Sequence, residues 1–189
     1  MIEVSVKKNN LLKNFSVFEL ITIALTASLG LASKPIITPL THLITGPLFI
    51  PGGAVAGGFY MMWIVLGAAL IKKRGTATLI ALIQGIIVMI TGSFGTHGVV
   101  SLLTYGLPGL AIDIIFLIFN RKYDNSLDFF AAGVIANISG TYLSNLVFFR
   151  LPLLPLIISL SVGALSGGLG GLLAYLIYKK VKIVYYGRE

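Results

Sequence analysis

Asn137, Thr141 and Asn145 fall at i, i+4 and i+8 of one apolar stretch, so as a helix they share a face. Tyr142 and Ser144 flank them. Amides and hydroxyls so arranged can hydrogen-bond a solute but have no general base among them to activate a hydroxyl. Other residues of binding chemistry are expected at similar depth: Lys34, Thr41 and His42 between the first two apolar stretches, Tyr60 and Trp63 in the second, Gln84 in the third, then His97 and Tyr105. Small-molecule sites are typically apolar and aromatic cavities with a few placed polar groups. Taken singly, these residues also fit an interfacial aromatic belt and interhelical hydrogen bonds. Taken as a set, they point to a ligand pocket.

The chemistry that is missing narrows the field. No phosphate-binding loop, nucleophile elbow or metal-ligand cluster occurs, and no cofactor is expected. With no cysteine there is no disulfide or thiolate metal site. His42 and His97, the two histidines, would need carboxylates that the nearby sequence lacks. Glu19 opens the first span, where a helix N-terminus favours an acid. Asp113 lies eight residues before Arg121, about 12 Å along a helix, and so inside its span. It reads as a hydrogen-bond hub or as a contact for a partner. Asp113 with a histidine would be the one conceivable acid–base pair, but the spans place them toward opposite ends, so no enzyme is expected.

The elements that must position these residues are membrane helices. Of the 189 residues, 57% are hydrophobic and 11% charged, against about 25% charged in soluble domains. A spanning helix takes about 20 apolar residues. Six stretches qualify: 17–33, 53–71, 76–92, 99–119, 129–149 and 153–178. The expected fold is an all-α integral membrane protein of six transmembrane helices, one membrane domain over 1–189. The further apolar stretch 36–50 is broken by Pro39, Gly46 and Pro47 and bounded by Pro35 and Pro51. Proline removes a backbone donor and disfavours helix before it, so this stretch reads as a long, Pro-rich, partly buried outer loop. Lys7, Lys8 and Lys13 before the first span, with Leu31-Ala32-Ser33 at its end, resemble a signal peptide, but a polytopic chain needs no cleavage there.

Orientation follows from Lys and Arg, which cytoplasmic loops retain. With both termini inside, Lys7, Lys8, Lys13, Lys72, Lys73, Arg74, Arg121, Lys122, Lys179, Lys180, Lys182 and Arg188 are cytoplasmic, and Lys34 and Arg150 are outside. A seventh span at 36–50 would destroy this asymmetry. The net charge of +8 thus fits contact with anionic lipid headgroups better than nucleic-acid binding, which needs the charges gathered on one surface.

Small residues four apart let helices approach closely in lipid. Ala24, Ser28 and Ala32 form such a stripe on the first span, and Gly163, Gly167 and Gly171 on the sixth. The sixth-span stripe reads as bundle contact. The first could serve the bundle equally or dock another membrane protein.

Six short helices, an apolar outer segment after the first, the small-residue stripe and no energy-coupling machinery resemble the substrate-binding S components of energy-coupling factor (ECF) vitamin transporters. The segments Gly46-Pro-Leu-Phe-Ile-Pro-Gly-Gly through Ile71-Lys-Lys-Arg-Gly, Gly92-Ser-Phe-Gly-Thr-His-Gly, and Tyr105-Gly-Leu-Pro-Gly-Leu-Ala-Ile-Asp113 are similar to the YkoE-type branch, associated with thiamine and its hydroxymethylpyrimidine precursor. The likeness covers residues 17–122 and, beyond them, the helix count.

The resemblance implies a high-affinity binding subunit in a prokaryotic plasma membrane, loaded from outside. It implies a membrane coupling subunit and two ABC-type ATPases as partners. In that family the small-residue motif of helix 1 contacts the coupling subunit; here Ala24, Ser28 and Ala32 occupy it, with Ser where Ala is usual. The ligand's charge stays open. A cation could stack on Trp63 or Tyr60 but would lack a counter-ion, a neutral pyrimidine would fit, and Lys34, His42, His97 and Arg150 would permit an anion. The alternative is an autonomous carrier or channel, although carriers usually show membrane carboxylates and repeats, and no pore-lining pattern is visible.

Overall fold

Ser16 starts the first helix with a reciprocal cap: its hydroxyl accepts from Glu19 N at 3.3 Å, and the Glu19 carboxylate accepts from Ser16 N at 2.6 Å. In the computed structural model, which describes residues 15–46, 51–92 and 99–186, helix α1 then runs Val17–Ala32 and is followed by α2 (Lys34–Thr45), α3 (Gly52–Ile71), α4 (Thr76–Thr91), α5 (Val100–Ile118), α6 (Ser126–Ser144) and α7 (Leu153–Tyr186). A five-residue π-helical turn, Asn145–Phe149, extends α6. No strand occurs among the described residues. Sharp stops come from left-handed residues: Lys72 and Gly75 flank the α3–α4 turn, Gly92 closes α4, and Arg150 follows the π turn.

Among the described residues, five helical stretches are long and apolar enough to cross a membrane, α1 and α2 counting as one continuous stretch, and α4 is a shorter apolar helix of 16 residues. Lipid offers no hydrogen bonds to exposed backbone, which favours helix throughout. The outward faces agree: Leu25, Ile90, Leu103, Ile118, Leu165 and Leu169 are exposed.

The Pro-rich stretch 36–50 corrects the loop expectation. Lys34–Thr45 is helical, and residues 47–50 lie outside the described residues. Pro35 occupies the first turn, where its missing N–H would be unbonded anyway. Pro39 then forfeits one bond within α2 without ending it. At the other end, α7 continues to Tyr186, eight residues past the expected limit.

Helix α3 is the axis of the bundle, touching α1, α2, α4, α6 and α7, while α5 bridges α4 and α6. Its small residues permit this: Ala54, Ala56, Ala68 and Ala69 are buried, and Gly58 lies against α7 so closely that a Cβ there would collide with Ser166. The glycine stripe of α7 serves the bundle in the same way, since a Cβ on Gly167 would meet the Gly133 carbonyl of α6. Close approach of two backbones is what small-xxx-small spacing allows.

Polar groups secure the end that carries the basic loops. Asp113 accepts from Thr78 N at 2.7 Å and Thr78 Oγ1 at 2.6 Å, tying α5 to α4 as a hydrogen-bond hub. Glu19 pairs with Lys73 at 2.7 Å, Lys72 with Asp124 at 3.1 Å, and Arg121 with the buried Asp128 at 3.0 Å. Phe116, Tyr123, Phe129, Tyr175 and Tyr178 form an aromatic cluster beneath them. Burial, then the nearby Asp113 and Asp128, push the Tyr123 hydroxyl well above its usual pKa.

Candidate ligand cavity

The opposite end of the bundle is built differently. Helix α2 carries Lys34, Thr38, Thr41 and Thr45 at helical spacing, so they share one face, and all four line a cavity of about 630 Å³. Ile36, Leu40, Leu43 and Ile44 cover the outward face of α2. The floor is α3, whose Gly57, Tyr60, Met61 and Ile64 face the same space. Gln84 enters from α4, Thr104 and Tyr105 from α5, Asn137, Thr141 and Asn145 from α6, and Ser159 from α7. The volume lies within the range of about 300–1,000 Å³ usual for small-molecule sites.

Geometry inside the cavity is specific. Lys34 Nζ donates to Tyr105 OH at 2.5 Å and lies 4.0 Å from the Tyr105 ring centroid and 5.0 Å from that of Tyr60. Aromatic faces attract a cation at such distances. Tyr60 OH is bonded to Thr38 Oγ1 at 2.8 Å, which fixes its ring. Asn137, fully buried, donates to the carbonyls of Ala54 at 3.0 Å and Gly163 at 2.8 Å, so it joins α6 to α3 and α7. Asn145 accepts from Leu151 N at 2.8 Å and thereby closes the π turn that brings Phe148 and Phe149 to the cavity. Turns of this kind occur often at functional sites. Thr45 Oγ1 is buried and has no hydrogen-bond partner among the described residues.

The structure therefore gathers Lys34, His42, Tyr60, Gln84, Tyr105, Asn137, Thr141 and Asn145 around one space. Two candidates fall elsewhere. Trp63 lies on the flank of the lining face of α3, its Cβ beside Gly30 of α1, and joins the apolar core. Tyr142, next along α6 from Thr141, is turned outward and 46% exposed. His97 lies outside the described residues. Thr38, Thr45, Thr104 and Ser159 are lining residues that the sequence reading did not single out. For Thr38 and Thr45 the signal is their helical spacing from Lys34, which the prolines of the stretch mask.

Ala24, Ser28 and Ala32 take no part in the cavity. All three are exposed on the outer face of α1, while Ile23, Ala27, Gly30 and Leu31 face the bundle. Among the described residues no group of three or more metal-ligating side chains is present.

Comparison with known proteins gives two likenesses. Residues 18–139 match the family described as "ABC-type cobalt transport system, permease component". The fold is similar to that in a crystal structure of an S-component of an ECF transporter, with a TM-score of 0.75 and 18% identity over 91% of this chain and 88% of that one. No curated protein sequence matches this chain.

Proposed function

We infer the function from one premise: the chain belongs to the family described as the permease component of ABC-type cobalt transport systems. On that basis it is a multi-pass membrane protein of an ATP-driven uptake system, and its role there is that of the ligand-binding subunit. The observation that carries this reading is the cavity of about 630 Å³, mainly apolar with a few placed polar side chains and set at one end of the bundle. A subunit with such a pocket, and no nucleotide-binding motif of its own, must take its energy from partners. An S-component fold supports the same assignment.

In this reading the basic loops at Lys72–Arg74 and Arg121–Lys122 are cytoplasmic and the cavity opens to the outside. A membrane coupling subunit and two ABC-type ATPases complete the transporter, and the exposed stripe Ala24, Ser28 and Ala32 is the docking face. The cargo is a small vitamin-like molecule, with thiamine and its hydroxymethylpyrimidine precursor as the first compounds to test. A bare metal ion fits less well, because the described lining offers the single imidazole of His42 and no carboxylate.

Reconstitution into liposomes tests the assignment. Uptake should require the coupling subunit, the ATPases and ATP together. Uptake driven by this chain alone would establish an autonomous carrier instead.

A further inference from the structure

The charges around the cavity are one-sided. Four carboxylates fall among the described residues, and all lie toward the basic-loop end with partners of their own: Glu19 with Lys73, Asp113 with Thr78, Asp124 with Lys72, and Asp128 with Arg121. None lines the cavity, and Lys34 has no carboxylate partner among the described residues. An ammonium withdrawn from water with no counter-charge is costly. The protein nevertheless holds this one in place, with a bond to Tyr105 OH and two rings beside it.

Hydrogen-bond capacity points the same way. An ammonium has three donors, and Tyr105 takes one, leaving two. The Tyr105 hydroxyl, having accepted from Lys34, keeps its own proton to donate, whereas Tyr60 OH is engaged with Thr38. Lys34 and Tyr105 thus form a donor pair on the cavity wall, and an anion bound beside them would hold the amine in its charged form. Thr45 Oγ1, unpartnered and buried, lies eleven residues along α2, about 16 Å by helical rise. It can bond a polar group at the far end of an elongated ligand.

We propose that the cavity takes a small organic anion, its carboxylate or phosphate held by Lys34 Nζ and Tyr105 OH. The proposal rests on the binding-subunit reading and narrows it, because a thiazolium cation would meet the Lys34 charge without a carboxylate to balance it. Neutral compounds would leave that ammonium uncompensated.

The full-length protein in mild detergent is incubated with the protein-free small-molecule fraction of a bacterial cell extract, supplemented with thiamine. It is then washed and stripped for mass spectrometry in both polarities. The expected retained compound carries a carboxylate or phosphate. Its retention should fall by about tenfold or more in Lys34→Met and survive in Lys34→Arg. Lys34→Met should fold, since it removes an unpaired charge from a partly buried site; Tyr105→Phe, which deletes one hydroxyl, supplies an independent loss of retention. Retention of thiamine or of a neutral compound would overturn the proposal while leaving the binding subunit intact. So would an anion held equally by wild type, Lys34→Met and Tyr105→Phe. A wild-type protein that retains nothing would overturn the binding-subunit reading and this proposal with it.

Discussion

Trp63 and Asn145 separate what a residue does for the bundle from what it does for the cavity. Trp63 fills space beside Gly30 in the core between helices, so its truncation removes apolar contact without altering the cavity wall. Asn145 lines the cavity and caps the π turn through Leu151 N. Trp63→Ala should therefore lower the melting temperature with affinity retained. Asn145→Ala should weaken ligand binding at least tenfold, about 1.4 kcal/mol. Parallel melting curves and binding isotherms check both, and a reversed pattern would place Trp63 at the site. Asn137 shows why type and spacing alone could not assign such roles. Its two bonds to backbone carbonyls make it a strut between three helices as well as a lining residue.

At the scale of elements, two small-residue stripes of similar spacing have opposite fates. Gly167 and Gly171 of α7 face α6 and Gly170 faces α3, and at each a side chain would collide with backbone. Ala24, Ser28 and Ala32 of α1 face outward. Both stripes were legible in the sequence, but only the arrangement of neighbours distinguishes an occupied face from an open one. Ser28→Leu should abolish co-purification with the coupling subunit and leave ligand affinity unchanged, because Ser28 is exposed and does not line the cavity. Undiminished co-purification would defeat the docking assignment. Helix α2 carries the other lesson at this scale. Proline spacing suggested a loop, yet Pro35 sits where a helix tolerates it and Pro39 costs a single bond, so the lining stripe from Lys34 to Thr45 forms.

For the whole molecule, charge asymmetry and cavity position make one testable statement about orientation. The chain contains no cysteine, so single introduced thiols report cleanly. Thr91→Cys, at the cavity end of α4, should react with a membrane-impermeant maleimide on intact cells. Arg74→Cys should react only after permeabilisation. The reverse pattern would invert the topology and put the cavity on the cytoplasmic side. The membrane helices themselves were legible from sequence, because apolar length and the lack of charge are local quantities that lipid selects directly. Asp113 inside α5 and the polar stripe of α6 were equally visible as residues out of place in an apolar span. Their fates were not. Whether a polar side chain bonds a neighbouring helix, as Asp113 does with Thr78, or faces a shared space, as Lys34 does, depends on which helices meet and how they are rotated. Residues as far apart in the chain as Lys34 and Ser159 meet at that cavity. Such contacts between distant segments arise from tertiary fit, and no local pattern of residue types encodes them.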